Sequence, residues 1–280
     1  MADALPDLAM LWSAALAGDR APIERALAEG SRLPGPRANL ELAARFADTA
    51  AADGAAADGA AAGFAVLADW LATPPRLAAS LPDGTEEFLP SCAALAAGAM
   101  AARAVADGGA LPGAPVGLLT TAAGDGRWRV RELAATGMQR VLAADWPAGL
   151  HQVGVWLRSA EPLSMRAAVA AVAEPPLLRD AQHAADATAV VREAVDALLA
   201  LPAARRREDD VRVLRKALGY AISVVAAADP EAGLPVLERL AAATDQDARW
   251  LARQNLTKAR LKPFADRLAA ARAAVGLPAT

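Results

Sequence analysis

The chain's 280 residues are 55% hydrophobic and 22% charged, with a formal charge of -3; this balance excludes a disordered or collagen-like chain, and a single Cys excludes a disulfide framework. Eighty residues are Ala, the strongest helix former, while β-branched and aromatic residues are scarce, so the expected fold class is all-α. The length exceeds a typical single domain, although a repeat array can grow without dividing into separate cores.

In chain order, apolar residues at spacings of three and four predict helices near residues 5–17, 19–29, 37–52, 60–72, 85–106, 115–123, 125–143, 147–158, 162–173, 183–200, 209–227, 231–242, 246–259 and 261–274. The breaks carry Gly, Pro or Asp, as at Gly18 with Asp19, Pro112 with Gly113, Pro175 with Pro176 and Asp229 with Pro230. Asp125 stands where an N-cap belongs for the helix that follows it. The Ala-Gly-Asp stretch from Ala50 to Gly63 reads as low-complexity and is expected to include a mobile loop. The absence of a strand signal argues against a Rossmann or barrel fold.

A search for internal repeats is the most specific reading. Asp125, Arg127, Trp128 and Arg131 recur as Asp247, Arg249, Trp250 and Arg253, a shared DxRWxxR pattern 122 residues apart. Between them Asp209 and Arg215 keep the Asp-to-Arg spacing, and Ser164-Met165-Arg166 is a weaker copy. The arginines at 131, 166, 215 and 253 are 35, 49 and 38 residues apart, which suits a two-helix unit of about 40 residues.

An Asp followed about five positions later by an aliphatic-Arg pair and small apolar residues resembles the second helix of a HEAT repeat, over residues 115 to 275. The resemblance implies a right-handed superhelix of HEAT-like antiparallel helix pairs, with residues 115–280 as one continuous solenoid and residues 1–114 as degenerate N-terminal repeats or a cap. It also implies a structural ladder of Asp125, Asp209 and Asp247 with Arg131, Arg215 and Arg253, each Asp capping a second helix and pairing with the Arg of an adjacent repeat.

The missing chemistries are informative. None of the three lysines, Lys216, Lys258 and Lys262, follows a glycine, which excludes a P-loop. There is no HExxH, CxxC or GxSxG, and His151 and His183 are too few for a multi-His zinc site. His151 reads as a packed or surface residue and His183 as solvated. Glu86-Glu87 and Asp209-Asp210 read as helix N-terminal charges. Cys92, in a run of small residues, reads as a buried inert thiol. The sequon at Asn255 reads as coincidental. No cofactor and no metal are expected. The charge-free stretches 88–102 and 108–124 read as too short, or too rich in Gly and Pro, to span a bilayer, so the expected setting is cytoplasmic with no membrane partner.

Two partner classes remain. The HEAT-like branch of alkylpurine DNA glycosylases offers nucleic-acid binding, but Asp145-Trp146-Pro147 is the nearest counterpart of its tryptophan-framed Asp, and Pro147 suits a first helical turn better than a groove. Residues 1–120 hold 14 acids and 7 bases, whereas residues 121–280 hold 18 acids and 22 bases, which keeps nucleic acid as the alternative. The expected function is a non-enzymatic scaffold for a protein partner, with Arg127, Trp128, Arg212, Arg249 and Trp250 as partner-binding residues on a concave face. The paired Trp128 and Trp250 read as inter-repeat packing on arginine slightly ahead of exposed anchors, and Trp12, Trp70, Trp146 and Trp156 as core.

Overall fold

A computed structural model describes residues 7–53, 57–74 and 84–278, and among them every regular element is helical. The helices are α1 (Leu8–Leu16), α2 (Ala21–Gly30), α3 (Leu40–Asp53), α4 (Ala57–Ala72), α5 (Leu89–Ala106), α6 (Gly113–Ala123), α7 (Trp128–Ala144), α8 (Trp146–Arg158), α9 (Pro162–Val172), α10 (Ala181–Ala200), α11 (Asp209–Ala228), α12 (Pro230–Ala242), α13 (Gln246–Leu256) and α14 (Ala269–Ala274). Aspartates supply several starts. Asp180 Oδ1 accepts from the amides of Gln182 and His183 at 2.8 and 3.1 Å, and Asp245 Oδ1 from those of Asp247 and Ala248 at 2.9 and 3.0 Å, satisfying amides that have no partner within a helix.

Two expectations on the elements are corrected and a third is left open. Within the Ala50–Gly63 stretch α3 runs to Asp53 and α4 begins at Ala57, so the loop expected there falls on residues 54–56, outside the described residues. The helix expected over 261–274 is a 3-10 turn, Ala259–Phe264, and the short α14, since Pro263 cannot donate to an α-helical bond. Asp125 does not cap α7, which starts at Trp128 with Arg127 in the capping position.

The chain divides into two compact units, Met1–Gly149 and Leu150–Thr280. A boundary after residue 114 would cut α6, which packs against α5 and α7 within the first unit. At the centre of that unit is α5, packed on α3, α4, α6 and α7. A Cβ added to Gly98 would meet the Gly137 Cα at 2.2 Å, so α5 and α7 cross so closely that only hydrogen fits at Gly98. Trp12, Phe46 and Trp70 cluster with ring centroids 5.2 to 6.1 Å apart, and Trp70 Nε1 donates to Glu24 at 2.8 Å. The segment Glu86–Ala106 is 21 residues, long and apolar enough to cross a membrane, and its most apolar 18-residue window, of mean hydropathy 1.5, is 78% buried among the other helices.

In the second unit α11 is central, packed on α9, α10, α12 and α13. Asn255, fully buried, accepts from the Ser223 amide at 2.8 Å and donates to the carbonyls of Leu218 and Leu251 at 3.0 and 2.9 Å, which ties α13 to α11 and leaves the sequon asparagine sealed from solvent. Trp12, Trp70, Trp146 and Trp156 are all at most 6% exposed, as core residues should be.

Candidate functional site

The first DxRWxxR copy lies in the turn between α6 and α7. Asp125 and Arg127 form an ion pair of 2.6 Å with side chains only 13% and 9% exposed. The remaining Arg127 donors reach the carbonyls of Thr73 and Glu86 at 2.8 Å and of Leu71 at 3.1 Å. Arg127 therefore closes the C-terminal end of α4, where carbonyls lack intrahelical partners, and has no donor left for a partner protein. Arg131, 8% exposed, donates to the carbonyls of Asp125 and Gly126. It fixes the turn through backbone oxygens.

The second copy is placed differently. Asp247 lies inside α13, one residue past its start, and Asp245 is the cap. Arg215 of α11 reaches Asp247, so these two expected ladder residues come together across 32 positions of chain. Arg206 joins them, bonding Asp245 at 2.7 Å and Asp247 at 3.4 Å while donating to the carbonyls of Leu199 and Leu201 at the end of α10. The Arg206 guanidinium holds the Asp245 carboxyl below the usual carboxylate range, opposed by burial, and Arg205 does the same for Asp210.

Two ladder assignments fail. Asp209 has a 98% exposed side chain and, among the described residues, touches only Arg212, at 3.4 Å, because it starts α11 on the solvent side. Arg253 is exposed and has no partner among the described residues; its position on α13 points to solvent.

The five expected partner-binding residues do not form one site. Arg127 is occupied internally, as above. Arg249 donates to the carbonyls of Ala241 and Ala274 at the ends of α12 and α14. Trp250 is half-buried, with the Arg215 guanidinium 4.4 Å over its ring and Gly219 beneath it, where a Cβ would meet the ring at 3.1 Å. Arg212 is exposed on α11. Trp128 alone has the character of an anchor. It is 52% exposed, the Arg129 guanidinium lies 4.5 Å over its ring, and Arg129 is held by Glu87 at 2.6 Å and the Gly35 carbonyl at 2.8 Å.

Trp128 lines a cavity of about 530 Å³ in the first unit, together with Leu40, Phe88 and Leu133. Leu40 is 60% exposed. Arg32 and Arg37 stand at the same cavity, exposed and without partners among the described residues, with Glu41 as an unpaired acid. Sequence reasoning missed this groove because Leu40 and Trp128 are 88 residues apart and belong to different predicted helices.

The other singled-out groups have local roles. Asp145 accepts from the Ala148 amide at 3.0 Å and so caps α8, and the adjacent Trp146 is buried. His151 is exposed; His183 is half-buried rather than solvated, with Nδ1 3.1 Å from the Leu177 carbonyl, so that nitrogen carries the proton. Cys92 is fully buried, which pushes its thiol pKa well up. Among the described residues no cluster of three or more His, Cys, Asp or Glu could hold a metal ion. Comparison with protein-family models, curated proteins and solved structures returns no match.

Proposed function

We propose that the protein is a non-enzymatic helical-repeat scaffold, a right-handed superhelix of HEAT-like helix pairs, that binds a protein partner. The observation that carries this reading is the exposed pair Leu40 and Trp128 on one apolar cavity. An exposed Trp on rigid support beside an aliphatic side chain has the anatomy of an interface hot spot, and the cavity is within the range that seats large apolar groups. Arg129 stacked on Trp128 and anchored at both ends supplies that rigidity. The occupant is a partner segment with an aromatic or aliphatic anchor and a nearby carboxylate, since two unpaired arginines against one unpaired glutamate border the cavity. The Arg215–Asp247 pair supports the repeat reading, while the fold class alone would not assign a function.

The test uses Trp128→Ala and Leu40→Glu. Each should keep the parent's unfolding midpoint within a few degrees. A protein captured by the parent chain and lost by both variants should, once purified, bind the parent directly and lose about 2 kcal/mol or more with Trp128→Ala. Equal binding by the parent and both variants removes this groove as the docking site.

A further inference from the structure

Three arginines of the second unit have a role that its lysines do not share. Arg206, Arg249 and Arg272 direct their forked donors to the carbonyls at the ends of α10, α12, α13 and α14. All three lysines of the chain, Lys216, Lys258 and Lys262, lie on α11 and the turn after α13, and none has a side-chain hydrogen bond or ion pair among the described residues. These two segments touch. Trp250 and Gln254 of α13 pack over Gly219 of α11. Tyr220 of α11 is reached from the turn by Lys258, 6.0 Å from its ring, and by Arg260, 4.5 Å over its ring and donating to its hydroxyl at 2.6 Å.

Tyr220 is 47% exposed. Residues 211–228 and 248–265 hold eight Lys and Arg and not one Asp or Glu. Of these eight, Arg212 pairs with Asp209 at 3.4 Å and Arg215 with Asp247, which Arg206 shares, while Lys216, Arg253, Lys258 and Lys262 have no ion pair among the described residues. Lys216 is exposed one turn before Tyr220 on α11, and Arg253 is exposed on α13, three residues after Trp250. Lys258 and Lys262 also line a cavity of about 310 Å³ whose other walls include Leu256, Leu261 and Leu268.

We propose that this face of α11, α13 and the following turn binds single-stranded nucleic acid, with Tyr220 as a stacking platform and Lys216, Lys258, Lys262 and Arg253 as phosphate contacts. Unbonded lysines are compact, mobile charges suited to a backbone whose geometry varies. An exposed aromatic ring among cations provides sequence-tolerant stacking, and the apolar cavity beside two of the lysines has room for an unstacked base. A duplex hides its base faces, so the single strand is the better fit. A membrane surface fits less well, since Tyr220 and Val155 are the only large apolar side chains exposed in this unit among the described residues. The proposal is independent of the groove at Trp128.

The test is fluorescence anisotropy of the full chain with labelled oligo-dT and oligo-U of about 12 nucleotides and a duplex of equal length. Single strands should bind in the micromolar range at about 50 mM salt, and log affinity should fall against log salt with a slope of about -3, as for four phosphate contacts. Tyr220→Ala should weaken binding about tenfold with the slope unchanged, and Tyr220→Phe should restore it. Lys216→Gln and Lys258→Gln should each flatten the slope by about 0.7. These positions all reach solvent, and unchanged thermal melting of the variants confirms that folding is intact. Absence of saturable binding at about 50 mM salt overturns the proposal. So does equal affinity for duplex and single strand with no effect of Tyr220→Ala, which would mark a general polyanion surface, and so does tighter binding to phosphatidylserine vesicles than to oligo-U.

Discussion

The two DxRWxxR copies share four residues and have different structural fates. In the first, Trp128 opens α7 and Asp125 lies before the helix, locked to Arg127. In the second, α13 begins four residues ahead of Trp250, so Asp247 is already helical and its carboxylate meets Arg215 of another helix. The shift in helix start rotates the pattern: Arg131 is buried on carbonyls while Arg253 is exposed, and Trp128 opens to solvent while Trp250 rests on Gly219 beneath Arg215. A shared motif fixes which residues are available, and helix register decides which of them face a neighbour.

The two copies should differ most at Arg127 and its counterpart Arg249. Arg127→Ala strands a buried Asp125 carboxylate and three carbonyls, so it should cost about 3 to 5 kcal/mol in chemical denaturation. Arg249→Ala, at an exposed position, should cost about 1 kcal/mol or less. Equal losses would mean that both copies serve the same role.

Arg131 and Arg253 come next. Arg131→Ala should lose about 1 to 3 kcal/mol through the unpaired turn carbonyls, whereas Arg253→Ala should stay within about 0.5 kcal/mol. If Arg253→Ala destabilises as much as Arg131→Ala, its side chain has a partner in solution and the ladder extends to it.

The tryptophans give a smaller contrast. Trp250→Ala should cost about 2 kcal/mol, below the range for a fully buried Trp, and Trp128→Ala less than about 1 kcal/mol. Acrylamide should quench a variant retaining only Trp128 more strongly than one retaining only Trp250, provided both fold; the reverse order would contradict their burial.

The least effect belongs to the pH dependence of the Arg206–Asp245 pair, which joins residues 39 positions apart where the first copy's Asp125–Arg127 pair lies within one turn. Arg206 lowers the folded-state pKa of Asp245, while an unfolded Asp titrates at about 3.9. The unfolded chain therefore binds more protons in this window, so the pair's contribution is complete above the unfolded value and is lost as pH falls through the lowered folded value. The parent should exceed Asp245→Asn in thermal stability at pH 7, and the difference should shrink below about pH 4. A difference that is constant with pH would assign the effect to the cap hydrogen bonds rather than to charge.

The all-helical class and most helix positions were legible in the amino-acid order, because three-to-four periodicity, Ala content and Asp, Gly and Pro punctuation are local signals. Burial of Cys92 and of four tryptophans followed from their apolar surroundings in the same way. Within the Ala50–Gly63 stretch, residues 54–56 lie outside the described residues, and on either side of them Ala carries α3 to Asp53 and α4 from Ala57 even beside Gly and Asp. Folding in three dimensions was needed to bring Arg127 onto carbonyls of α4 and the turn after it, 54 to 56 residues away, to put Leu40 and Trp128 on one cavity, and to converge Lys258 and Arg260 on Tyr220. An arginine's partners and a tryptophan's exposure depend on helix register and on neighbours distant in the chain, and the spacing of the motif encodes neither.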